Sequence, residues 1–148
     1  TQRSTLFPYT TLFRSSVRPV PRIGSYVDSQ PFWDGIAAGK LVLQYCTEAK
    51  RFQHYPKPVS SYTGRRTLEW RETGGKGVIY AYTVVRIPGP GLEGRLPLCV
   101  ATVELDEGVR IIANIVNRAP EQMAIGKRVV LAWDPLTSEQ NYPAFQLA

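Results

Sequence analysis

Sulfur and imidazole are scarce in this 148-residue chain, which has two cysteines, Cys46 and Cys99, and a single histidine, His54. Two cysteines are too few for a disulfide framework, and Cys99 lies in an apolar run, so the chain reads as a protein of a reducing cytoplasm. A structural zinc site takes four Cys or His ligands, with the thiolates delivered in pairs by tight C-x-x-C turns. Counting on from Cys46, the second sulfur of such a pair would stand at Ala49, and a second pair after Val59 would stand at Ser60 and Thr63. Hydroxyls hold zinc poorly, and Cys46 with His54 cannot close a tetrahedral site, so no zinc is expected and Cys46 reads as a small buried hydrophobe. Long apolar runs are lacking too. No stretch approaches the roughly 18 apolar residues of a membrane span, and the start of the chain lacks the apolar core of a signal peptide.

The same scarcity bears on catalysis. A nucleophile needs a base beside it, and His54 is the only imidazole available. Cys46 and His54 flank one short hairpin, but no third orienting group and no oxyanion-type glycine turn accompanies them. Asp106 and Glu107 are adjacent carboxylates, yet neighbouring residues at a strand end point apart, and hairpin turns favour acids in any case. The expectation is therefore a protein that is not an enzyme, with a small cysteine hydrolase as the reading that Cys46→Ser would test.

Residues 5–15, Thr-Leu-Phe-Pro-Tyr-Thr-Thr-Leu-Phe-Arg-Ser, match codon for codon the in-frame translation of a common synthetic sequencing adapter. Residues 1–15 are accordingly read as an adapter-derived artefact without a fold. About 130 residues remain, enough for one compact domain with a small appendage. Without Arg3 and Arg14 the formal charge of +6 falls to +4. Most of that charge is local: Lys50, Arg51, Lys57, Arg65, Arg66, Arg71 and Lys76 face only Glu69 and Glu72 over the same stretch.

Residues 16–23, with Pro19 and Pro21, read as an extended lead-in. Asp28 or Ser29 can cap a helix in which Pro31 is tolerated in the first turn and Phe32, Ile36 and Ala37 recur at helical spacing up to Gly39. Residues 41–45 and 51–55 then suggest a hairpin around Cys46, with residues 68–71 as a third strand. From Gly77 onward the alternation has period two. Strands are expected over residues 77–85 with both faces largely covered, then 98–105, 109–116, 128–134 and 142–147. Asp106-Glu107-Gly108 supplies a hairpin turn, residues 87–97 a Pro-Gly-rich loop, and residues 120–123 a short helical turn. Five strands interrupted by a helical turn between the third and fourth is the order of an OB-fold barrel; a five-stranded SH3-like barrel is the competitor.

Several motifs, in this order and spacing, resemble one family over roughly residues 20–148. They are Pro31-Phe32-Trp33-Asp34-Gly35, Gly39-Lys40-Leu41-Val42-Leu43-Gln44, Leu68-Glu69-Trp70, the strand Gly75 to Val85 and the hairpin Val103 to Val116. The family is that of rubredoxin-like zinc-ribbon plus OB-fold proteins that accompany acyl-CoA enzymes, catalogued as domain of unknown function thirty-five. The resemblance implies a mainly β chain: lead-in and N-terminal helix over 16–40, a metal-free rubredoxin-like ribbon over 41–73, and a five-stranded OB-fold barrel over 74–148. Cys46, Ala49, Ser60 and Thr63 would be its vestigial ligand positions, so the ribbon would hold its shape by packing around Tyr45, Phe52, Tyr55 and Trp70.

The resemblance also implies a non-catalytic accessory or scaffold subunit beside a thiolase-like enzyme or an enoyl-CoA hydratase of the hot-dog fold, forming a heteromer and contacting acyl-CoA. Trp33, Arg51, Lys57, Arg65 and Arg66 would form the partner or CoA surface. Bland readings stand beside these: a solvated basic face, and Phe32 and Trp33 packed on the barrel. The alternative from another class is a single-stranded nucleic-acid binder, in which the basic residues hold phosphates and Tyr55, Tyr62 and Trp70 stack on bases.

Overall fold

The computed structural model describes residues 28–87, 89, 93–135 and 141–148. The adapter-like stretch, the lead-in and part of the Pro-Gly loop lie outside the described residues. Helix α1 (Gln30–Ala37) begins with Pro31 in its first turn, where a missing N–H costs nothing, and buries Phe32, Gly35 and Ile36 on one stripe. Strands β1 (Val42–Cys46), β2 (Arg51–Gln53) and β3 (Leu68–Glu72) form a three-stranded antiparallel sheet in the order β2-β1-β3. This is the ribbon.

Strands β4 (Lys76–Val85), β5 (Leu98–Leu105), β6 (Arg110–Ile115), β7 (Arg128–Pro135) and β8 (Asn141–Leu147) close into a barrel in the order β4-β5-β6-β8-β7. The β6–β8 contact is parallel and all other pairs are antiparallel. A single 3-10 turn, Pro120–Gln122, lies between β6 and β7. With that closure the chain is an OB-fold barrel. The tight β5–β6 turn places Gly108 at φ 78°, a conformation glycine adopts without a Cβ clash. Gly77 serves a different purpose: a Cβ there would stand 2.4 Å from the Glu104 carbonyl oxygen, so only glycine lets β4 and β5 approach this closely.

The barrel interior is filled by the alternating positions of β5 and β6 together with Ile79, Val129 and Phe145. Phe32, Ile36, Leu41 and Leu43 belong to the same cluster, so the helix and the base of the ribbon share the barrel's core. At the join, the Thr73 and Gly74 amides donate to Leu41 O and Glu107 Oε1, and the Leu131 amide donates to Gly75 O.

Strand β4 departs from its expected coverage. Ala81 and Thr83 are exposed, Tyr80 is 49% and Tyr82 41% exposed. Two causes combine. The ladder with β5 shifts register between Ile79 and Ala81, which sets Ala81 and Thr83 opposite the outward residues Thr102 and Val100 and so turns them off the Ile79 face, and β7 pairs with β4 only over Lys76 to Val78, leaving one edge of the later residues without a strand among the described residues. No described helix is long and apolar enough to cross a membrane.

Candidate interaction surface

The ribbon ends in two tight turns that meet at Cys46 and Ser60. The Cys46 Sγ accepts a hydrogen bond from the Ala49 amide at 3.3 Å and lies 3.5 Å from the Thr67 hydroxyl. Three residues past Ser60 the geometry repeats with oxygen: Ser60 Oγ accepts from the Tyr62 and Thr63 amides at 3.2 and 3.3 Å. Hydrogen bonds from Ser60 and then Thr67 pull the Cys46 thiol down to about 7, against the opposing effect of burial. Among the described residues no group of three or more His, Cys, Asp or Glu side chains is placed to hold a metal ion.

Cys46 and His54 are not brought together. Antiparallel pairing sets Cys46 opposite Arg51 and Gln44 opposite Gln53, so His54 follows the far end of β2. Its ring lies 5.7 Å from Phe32 and 4.1 Å from Tyr55. It is half-buried rather than a solvated strand residue, and burial pushes its pKa down to about 4, so it is neutral at pH 7. Asp106 and Glu107 diverge: Asp106 takes Arg128 in a two-point pair at 2.7 and 2.8 Å, while Glu107 accepts from the Gly74 amide.

What fixes the ribbon is a buried pair of glutamines. Gln44 and Gln53 are each 4% exposed and joined at 2.8 Å. Gln44 also accepts from the Lys57 amide and donates to the Lys57 carbonyl, and Gln53 accepts from the Ser61 amide and donates to Val59 O. The loop from β2 to Ser61 is thereby tied to both strands by side-chain amides. Tyr45 and Phe52 pack edge to face at 5.0 Å, but Tyr55 is 58% exposed and contributes little of the packing expected of it.

Arg51, Arg65 and Arg66 are exposed around the two turns, and Lys57 is exposed on the loop that Gln44 holds. The Arg51 guanidinium lies 4.9 Å from the Tyr62 ring centre, and the Tyr62 hydroxyl donates to Phe52 O at 2.6 Å. Trp33 is placed elsewhere. It makes edge contacts with Phe32 at 5.1 Å and with Tyr142 of β8 at 5.8 Å, so it packs, half-buried, on the barrel. The positive field is weaker than sequence counting suggests, because Glu48 from the β1–β2 turn, outside the basic stretch, reaches Arg65 at 3.4 Å; within the stretch Glu69 pairs with Arg71. Sequence reasoning also passes over a polar group inside the barrel, where Asp134, 2% exposed, accepts from Arg95 at 2.5 Å and Asn114 at 2.8 Å. Partners this distant in sequence leave no local signal.

Residues 70–134 match the family model of the ChsH2 C-terminal OB-fold domain. A probable enoyl-CoA hydratase alpha subunit of Thermomonospora curvata is 34% identical over 90% of this chain and 41% of its own length. A DUF35 domain-containing scaffold protein of Methanocaldococcus jannaschii is 40% identical over 44% of this chain and 48% of its own. The chain thus spans about half or less of these curated relatives. Among solved structures, a chain of an Ltp2-ChsH2(DUF35) aldolase superposes with a TM-score of 0.76 at 33% identity, covering 86% of this chain and 98% of that one. With its helix, ribbon and OB barrel matched along nearly the full length of that chain, this protein belongs to the DUF35 family, with a ChsH2-like OB-fold domain.

Proposed function

We propose that the chain is a non-catalytic accessory module that docks on an acyl-CoA enzyme, thiolase-like or enoyl-CoA hydratase-like, and lies against its acyl-CoA. The observation that carries this reading is the match along 98% of a DUF35 chain from an aldolase assembly. The arrangement of the ribbon supports it, since Arg51, Lys57, Arg65 and Arg66 extend from turns held rigidly by Gln44, Gln53 and Ser60. A rigid basic tip suits an acidic partner face or the phosphates of coenzyme A. Trp33, held between Phe32 and Tyr142, contributes its remaining exposed edge. The two free cysteines fit a cytoplasmic setting.

Nucleic acid finds a less prepared surface. Arg51 already lies over Tyr62, Arg71 over Tyr45 at 3.6 Å and Arg110 over Tyr80 at 3.4 Å, so a base stacking on any of these three rings would have to displace a cation–π contact.

Co-expression with a thiolase-like or hydratase-like acyl-CoA enzyme from the same source, followed by size-exclusion chromatography, tests the proposal. The expected result is a heteromer whose affinity falls at least tenfold when Arg51, Arg65 and Arg66 are changed together to Glu. Elution of the chain alone, with enzyme activity indifferent to its presence, would overturn it.

A further inference from the structure

The barrel end reached by the β4–β5 loop holds a cavity of about 410 Å³, lined by Arg95, Arg118, Trp133 and Asp134 together with Leu98 and Ile115. That volume is in the range of small-molecule sites. Asp134 is fully engaged, by Arg95 Nη2 and by the Asn114 amide. Two donors are left over. Arg95 Nη1 and Arg118 Nε are both buried, and neither has an acceptor among the described residues. Two guanidinium groups against one carboxylate leave the described lining with a net charge of +1. An oxyanion would accept from both leftover donors and offset that charge in a single contact. The apolar side chains of the same wall leave room for a hydrocarbon stem.

We propose that this cavity binds an oxyanion carried on an apolar stem, a carboxylate or a phosphate ester, between Arg95 and Arg118. The site does not depend on the docking function proposed above, because its residues belong to the barrel rather than to the ribbon tip. Arg95 holds both the anion and Asp134, so Arg118 is the residue whose removal isolates the ligand contact.

Calorimetric titration of the full chain at low salt, with hexanoate, hexyl phosphate and neutral hexanol as probes, tests the site. At least one of the two anions should bind saturably at one per chain and shift the Trp133 indole resonance, and hexanol should do neither. The tighter of the two anions identifies the head group. Arg118→Gln should weaken binding at least tenfold, while Arg118→Lys, which keeps the charge, should stay within about threefold. If Arg118→Gln does not fold, displacement of the bound anion from the unaltered protein by inorganic phosphate reads the same contact. Failure of both anions to saturate, equal binding of hexanol, unchanged affinity in a folded Arg118→Gln variant, or no displacement by phosphate would each overturn the proposal.

Discussion

The barrel's buried side chains include Ile79, Val103, Ile111, Ile115, Val129 and Phe145, whereas beyond Leu43 the ribbon buries only Gln44, Cys46, Gln53 and Ser60. These are two ways of holding β-strands in place. Apolar burial is non-directional and tolerates small shifts, because its strength follows the area removed from water. The ribbon depends on donors and acceptors that must meet at about 2.8 Å, and each buried group left without its partner is destabilising. The barrel should therefore report the global stability of the molecule, and the ribbon should open first as a smaller cooperative unit.

Breaking the barrel should have the largest effect. Phe145 is completely buried on β8 and lies in the cluster that also contains Phe32, Ile36, Leu41 and Leu43. Phe145→Ala should cost about 3–5 kcal/mol and lower the unfolding midpoint of helix, ribbon and barrel together, because all three draw on one core. Denaturant unfolding followed by circular dichroism and by tryptophan fluorescence checks this. Transitions that separate by probe would show that the core is not shared.

Gln44→Ala should do the reverse, leaving the barrel intact and releasing the ribbon. It removes the acceptor of the Lys57 amide and the partner of the Gln53 side chain at once, for a local cost of about 2–3 kcal/mol. Amide exchange in β1, β2 and the loop to Ser61 should accelerate by roughly thirty- to a hundredfold. The amides of β5 and β6 should be unaffected. Equal acceleration in both regions would mean that ribbon and barrel open as one unit.

The two regions also differ in how far the sequence discloses them. Period-two alternation marks β5 and β6 to within a residue or so, because each buries one face, and the helical turn at residues 120–122 places the fold among OB barrels. Strand β4 is misread where a bulge at Tyr80 changes the face, since an extra residue has no signature in an apolar run. In the ribbon, the turns at Cys46 and Ser60 are legible from spacing, but the side-chain hydrogen bonds that hold them are not. Gln44 and Gln53 have the look of an outward face, and only the pairing of β1 with β2 turns them toward each other. The candidate surface is legible as a list of basic residues and illegible as a field, because the β1–β2 turn folds Glu48 back onto Arg65 from outside the basic stretch.

The contact between the two regions can be weakened by acid, with a sign set by His54. Its ring rests on Phe32, its Nδ1 is buried without a partner among the described residues, and burial lowers its pKa from 6.5 to about 4. The unfolded chain therefore takes up a proton at a higher pH than the folded one. Stability is complete above about pH 6.5 and is lost progressively as pH falls toward 4, by on the order of 3 kcal/mol in all. Asp106, whose carboxyl Arg128 holds below its ordinary value of 3.8, makes its own loss at lower pH and leaves this window to the histidine. Urea unfolding monitored by tryptophan fluorescence between pH 4 and 7 should show that slope, and His54→Phe should flatten it while keeping the contact with Phe32. An unchanged slope in His54→Phe would assign the acid sensitivity to the surface ion pairs, and the packing of helix on ribbon would then be as insensitive to pH as the barrel itself.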